Sequence, residues 1–183
     1  MNSGLMVRME LTDIFLDDAK NRAQKAKKAS EDMCQKVKIK KPVHQELWGE
    51  TTNSIHAIML SVFALESYIN MIGHDRLDQE VWEELKLLKL ENKWILFPKL
   101  ISGKTFNKED QLFKDFIDII KQRNYLVHYK DYTPKEFVSH SSGILVAEFH
   151  KKVNSENAIL ACTTAEKMIE QIQIFLGKPI VEK

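Results

Sequence analysis

An all-α fold, an antiparallel bundle of four to five helices with room for a short β-hairpin around residues 136–150, is what the sequence predicts. Two observations carry this. Helix breakers are scarce, with six Gly and four Pro in 183 residues. Several long windows repeat apolar residues at helical spacing, and the stretches between them are short. The chain length favours one domain with a core of its own. That domain divides into a basic N-terminal helix over about 10–41 and a core over about 50–176.

The first helix is expected from about Glu10 to Lys38, polar and rich in Lys20, Arg22, Lys25, Lys27, Lys28, Lys36 and Lys38. Pro42 closes the segment. A second runs from about Glu50 to Ile72, with N-cap candidates in "TTNS" (51–54) and a stop at Gly73. Ile55, Met59, Val62 and Ile69 share a face, but Ile58, Leu60 and Leu65 lie elsewhere around the axis. A helix apolar on most sides belongs at the centre of a bundle. Glu66 falls in the middle of its most apolar face, where a carboxylate is not expected.

A third helix fits about Asp78 to Phe97, with Val81, Leu85, Leu88 and Ile95 at helical spacing, and Pro98 and "SGK" (102–104) close it. A fourth opens at "NKED", with Asn107 as N-cap and acidic residues in its first turn. "EFVSHSSGILVAEFH" (136–150) alternates enough for the hairpin, and a last helix starts near Ser155 and ends near Gly177.

Composition excludes several classes of function. Net charge is +1, so total charge implies no partner. The two cysteines, Cys34 and Cys162, are far apart and lack metal spacing, which argues against a disulfide scaffold or zinc ribbon and for a reducing, cytoplasmic setting. The first twenty residues lack a basic start followed by an apolar run, so no signal peptide is expected. The longest apolar stretch, Ile55 to Ile72, carries too many polar residues for a membrane span. His56, His74, His140 and His150 have no ligand spacing, so no metal or other cofactor is expected. "SGKT" (102–105) lacks the first glycine of a phosphate loop and reads as a turn.

The chemistry concentrates in "IIKQRNYLVHYK" (119–130). With Leu112 as zero at about 100° per residue, Phe116 lies near 40°, Val127 near 60° and Ile120 near 80°. Arg123 falls near 20°, inside that apolar stripe, by the same spacing. A guanidinium does not discharge to escape burial, so it needs an anion. The candidates are Glu66 of the second helix, or an external anion such as a phosphate, and the two are compatible. Asn124 and His128, four apart, share a helix edge. Arg123 and His128 diverge by about 140° on an ideal helix. They serve one substrate only if the helix end distorts or a cleft spans the gap. A homodimer with this helix on its two-fold axis provides such a cleft. Tyr125, Tyr129 and Tyr132 suit either base stacking or packing at an interface. The lysine-rich stretch 20–41 suits either an RNA backbone or plain solvation.

R-N-Y-L-V-H, Arg123 to His128, resembles the R-x4–6-H motif of the HEPN superfamily (higher eukaryotes and prokaryotes nucleotide-binding domains). It lies late in a helix in the second half of an all-helical chain, and polar Asn124 directly follows the arginine. "AIMLSVFALESYIN" (57–70) resembles the buried helix that precedes the motif in many such proteins. The resemblance covers roughly residues 50–175 and leaves out the basic N-terminal helix and residues 131–153.

The resemblance implies a metal-independent endoribonuclease that cleaves RNA through attack of the 2′-hydroxyl, as in toxin–antitoxin, phage-defence and CRISPR systems. It equally implies an inactive nucleotide-, RNA- or protein-binding domain, since the superfamily holds both. In the active case His128 is the general acid or base, Arg123 holds the scissile phosphate, and Asn124 orients His128 or binds a phosphate oxygen. Tyr125, Lys130 and Glu66 complete the expected substrate-binding set. The implied partners are RNA or a nucleotide, a second copy of the chain, and an antitoxin protein.

Overall fold

The computed structural model describes residues 3–128 and 149–177, with side chains from residue 11 onward. The described residues form six helices: α1 (Ser3–Lys38), α2 (His44–Arg76), α3 (Gln79–Leu85), α4 (Leu90–Ser102), α5 (Gln111–Val127) and α6 (Ser155–Phe175). The all-α bundle is as expected. The expected hairpin at 136–150 falls outside the described residues except for positions 149 and 150, which are helical.

α2 and α6 form the central pair, and they run parallel. Glu50 of α2 meets Ser155 at the start of α6, and Ser61 donates to Cys162 one level further on. α1 packs along both helices from one side, and α5 packs against both from the other, with no close packing between α1 and α5. Both outer helices run antiparallel to the central pair. Lys20 of α1 reaches Glu166 at 2.5 Å and Arg22 reaches Asn53, while Phe106, just before α5, meets Phe175 at the end of α6. Ile58, Val62, Leu65, Ile69 and Ile72 of α2 are buried on several sides, as a central helix requires. α2 is long and apolar enough to cross a membrane by length and composition, yet 56% of its most apolar window is buried inside the bundle.

α1 is more than a basic appendage. Thr12, Ala19, Ala23 and Ala26 recur at helical spacing and are buried. An added Cβ on Gly49 of α2 would stand 3.6 Å from the Ala29 Cβ. Small side chains on both helices let the backbones approach, while the lysines stay on the wet side. α2 also starts earlier than expected. Val43 precedes it without a side-chain cap, and "TTNS" lies inside the helix. There Asn53 donates to the Gly49 carbonyl at 2.7 Å and Ser54 is buried, so these polar residues serve the α1–α2 contact instead of a helix start.

The expected third helix is two helices. On one continuous helix Leu90, Trp94 and Phe97 would lie about 180° from Val81 and Leu85. The break at 86–89 turns Trp94 and Phe97 into the core, where both are fully buried, and leaves Leu87 exposed. Pro98 does not end α4 but sits within it, and Gly103 ends it with a φ of 72°. "SGKT" is the turn that follows, with the Thr105 hydroxyl donating to the Ile95 carbonyl at 3.0 Å. Asn107 does not cap α5. Asp110 takes that position, while the Asn107 side chain accepts from the Glu109 N–H in the preceding turn.

Gly73 marks the tightest approach in the core. A Cβ there would stand 2.5 Å from the Phe97 ring and 2.8 Å from Trp82. Gly73→Ala is expected to lower stability by about 1–3 kcal/mol through overpacking. Thermal unfolding followed by circular dichroism checks this, and an unchanged midpoint would mean that α3 and α4 yield freely.

Candidate functional site

The buried stripe of α5 is Phe113, Phe116, Ile119 and Ile120. Arg123 continues it by one turn and is half-buried. Its Nε is shut off from solvent without a hydrogen-bond partner, and among the described residues the guanidinium forms no ion pair. Val127 shares the stripe by angle but is 49% exposed, because the end of α5 projects past the core. Arg123 therefore stands at the rim of the apolar interior.

Glu66 is not its partner. Phe116 packs on Trp94, and Trp94 on Tyr68, so the middle of α5 lies level with the C-terminal half of α2. Arg123 lies two turns, roughly 10 Å, beyond Phe116 toward the opposite end of α2. Glu66 is half-buried at an outer edge of α2, not in an apolar interior. Its charge acts on Lys93 of α4. Lys93 is 5% exposed and donates to Asn70 at 2.7 Å. Burial pushes its pKa down, and Glu66 opposes that shift.

Asn124 and His128 are exposed. His128 is the C-cap of α5, with φ −102° and ψ 26°, and its N–H donates to the Asn124 carbonyl at 2.9 Å. Asn124, Arg123 and His128 thus share one helix end, but the arginine turns inward and the other two outward. Tyr125 is half-buried against the helical turn at 149–152. Lys152 lies 4.3 Å from its ring centroid, and Phe149 is 6.2 Å away. One face of the ring is covered, which favours the packing role over stacking. Lys130, Tyr129 and Tyr132 lie outside the described residues. An open groove of about 600 Å³ also runs along α5, between Gln111, Lys114, Ile117 and Lys121 and α4 residues such as Asn92 and Ile95. Arg123, Asn124 and His128 do not line it.

The end of the bundle that carries the motif is basic. It holds the C-terminal ends of α1 and α5 and the N-terminal ends of α2 and α6. Lys38, Lys40, Lys41, Lys151, Lys152, Arg123 and His128 gather there. Of the nearby carboxylates, Glu46 is held by Lys36 at 2.5 Å and Glu50 is buried and bonded, while Glu156 in the first turn of α6 is exposed. The lysines of α1 and the motif of α5 nevertheless occupy different sides of the central pair.

The pairing of Glu50 with His150 escaped the sequence reading, because no local spacing links residues one hundred positions apart. Glu50 is 1% exposed. It accepts from the Ser155 N–H at 3.0 Å and meets His150 Nε2 at 3.0 Å. Burial would raise its pKa, but the Ser155 and His150 hydrogen bonds outweigh burial and hold it below the ordinary 4.5. The pair ties the 149–152 turn and the start of α6 to α2, and so fixes the surface on which Tyr125 rests. Among the described residues, no group of three or more His, Cys, Asp or Glu is arranged to hold a metal ion. Comparison with protein-family models, with curated proteins and with solved structures gives no match.

A carboxylate whose folded pKa is depressed adds stability above its unfolded value and loses it as pH falls through the folded one. The contribution of Glu50 is therefore complete above about pH 4.5 and lost at more acidic pH. Glu50→Ala should cost about 3 kcal/mol at neutral pH, since it orphans a buried amide and frees the α6 terminus. Glu50→Gln should flatten the acid limb of the stability–pH curve, measured by urea unfolding. A limb as steep as in the wild type would remove Glu50 as its source.

Proposed function

We propose that this chain is a HEPN-type, metal-independent endoribonuclease acting as a homodimer, in a toxin or defence role with an antitoxin as its protein partner. The observation that carries the reading is Arg123, a permanent cation at the core rim whose solvent-shielded Nε has no partner, and whose guanidinium has no carboxylate on it, among the described residues. A phosphate suits the guanidinium in charge, and two of its oxygens can accept from the planar donor fork. The basic surroundings add long-range attraction for a polyanion. RNA is the substrate because the attacking group is its own 2′-hydroxyl.

Arg123 holds a non-bridging oxygen of the scissile phosphate and offsets the charge that grows on it. One His128 takes the proton of the 2′-hydroxyl as the O2′–P bond forms. The P–O5′ bond breaks, and a second imidazole, His128 of the other protomer, gives its proton to the departing 5′-oxygen. The products are a 2′,3′-cyclic phosphate and a 5′-hydroxyl. Asn124 orients the imidazole. The divergence of Arg123 and His128 within one chain supports the two-protomer arrangement. It equally favours a second reading, a non-catalytic HEPN-like domain that binds RNA, a nucleotide or a protein through the same end.

Incubation of the chain with mixed RNA in EDTA tests the proposal. Arg123→Ala and His128→Ala should each reduce cleavage at least about 100-fold with circular dichroism unchanged. Cleavage that survives both substitutions would show that another site or a contaminant is responsible. Intact RNA with a melting temperature raised by an oligonucleotide would establish the binding reading instead.

A further inference from the structure

The turn between α1 and α2 has a composition the bundle does not need. Lys41 and Ile39 return their N–H groups to the Lys36 carbonyl, Lys40 returns its own to Val37, and Lys40 sits at a φ of 53°. The turn therefore projects as a tight, convex tip. Val37 is 60% exposed, Ile39 61% and Trp48, in the second turn of α2, 70%. None of the three packs into either core cluster. Lys38, Lys40, Lys41 and His44 are interleaved with them and exposed as well.

The lysines alone would suit any polyanion. The aliphatic side chains decide among the partners. A nucleic-acid strand offers phosphates and base faces, and gains from a tryptophan, but it has little use for Val37 and Ile39. The boundary between lipid headgroups and acyl chains accepts all of them. Aliphatic groups leave water, indole settles at the interface, and lysine stems extend to place their ammonium groups among phosphates. A convex tip also suits a deformable surface better than a pocket.

We propose that the α1–α2 turn docks on an anionic phospholipid bilayer, with Val37, Ile39 and Trp48 entering the headgroup–acyl boundary and Lys38, Lys40 and Lys41 meeting the lipid phosphates. The contact is peripheral and uses no membrane-spanning helix. It does not depend on the ribonuclease reading, since α1 and α5 occupy different sides of the α2–α6 pair.

The test uses the full chain, with vesicles of phosphatidylglycerol and phosphatidylcholine in equal parts and vesicles of phosphatidylcholine alone. At low salt the protein should sediment with the anionic vesicles only, and its tryptophan emission should move to the blue. Trp94 is fully buried and serves as an internal reference, and Trp48→Phe should remove most of the shift. Val37→Ser with Ile39→Ser should weaken vesicle binding at least about tenfold. Both positions are exposed, and an unchanged melting temperature will confirm that the fold is kept. Lys38→Glu with Lys40→Glu should abolish sedimentation. Three outcomes overturn the proposal: no sedimentation with anionic vesicles, full binding by the double serine variant, or quenching of Trp48 by oligouridylate without any response to vesicles. The last would assign the tip to nucleic acid.

Discussion

The Glu50 carboxylate is the interaction on which the arrangement of the bundle end depends. A charge that is 1% exposed persists only when its lone pairs are occupied. Here one oxygen takes the buried first amide of α6 and the other takes His150. A helix N-terminus needs acceptors for its amides, and the dipole of α6 favours a negative charge at that place. The carboxylate thus comes from a neighbouring helix, while Asn154 caps the same first turn by accepting from the Asn157 N–H. Two elements far apart in the chain are tied at one level by one side chain, and the Ser61–Cys162 contact further along fixes their parallel direction.

From this pairing the rest of the architecture is constrained. Once α2 and α6 lie side by side, α1 can fill one groove of the pair and α5 the other. Alanines on α1 set a close approach, so that side is closed by backbone proximity. Aromatic residues close the opposite side, where Trp94, Phe106, Phe113 and Phe116 interlock. The two halves of the core differ for that reason. The aromatic half ends near Phe116, and α5 continues past it, which leaves Arg123 at the edge with the last turn of α5 standing clear.

The helices and the centrality of α2 were legible in the sequence because periodicity reports which faces are apolar. The angular position of Arg123 on α5 was legible for the same reason. Its depth was not. A helical wheel projects along the axis and discards height, so Arg123 and Ile120 look alike although only Ile120 is buried. The same loss of height made Glu66 look like a partner for Arg123, when antiparallel packing holds them at different levels. Breaks misled in a different way. Pro98 sits inside α4 because the helix tolerates one missing amide where its core residues gain burial. The 86–89 break lacks a Gly or Pro signal, and its cause is the rotation that Trp94 and Phe97 require.

Two buried charged side chains and one half-buried one make the functional argument sharper than any one alone. Glu50 is satisfied by an amide and an imidazole. Lys93 is satisfied by the Asn70 oxygen and lies in the field of Glu66. In both cases the fold supplies the compensation, as the cost of desolvating a charge demands. Arg123 lacks that compensation: its shielded Nε has no hydrogen-bond partner among the described residues, and unlike Arg22 Nε, which is also unbonded but lies 3.5 Å from Asp18, it has no carboxylate beside it there. Retention of that imbalance makes physical sense if something outside the chain completes it. On the proposed reading that something is an oxyanion such as phosphate, which reaches the accessible part of the half-buried guanidinium from solvent. The exposed His128, on the same helix end, is on that reading the group placed to act on the bound phosphodiester.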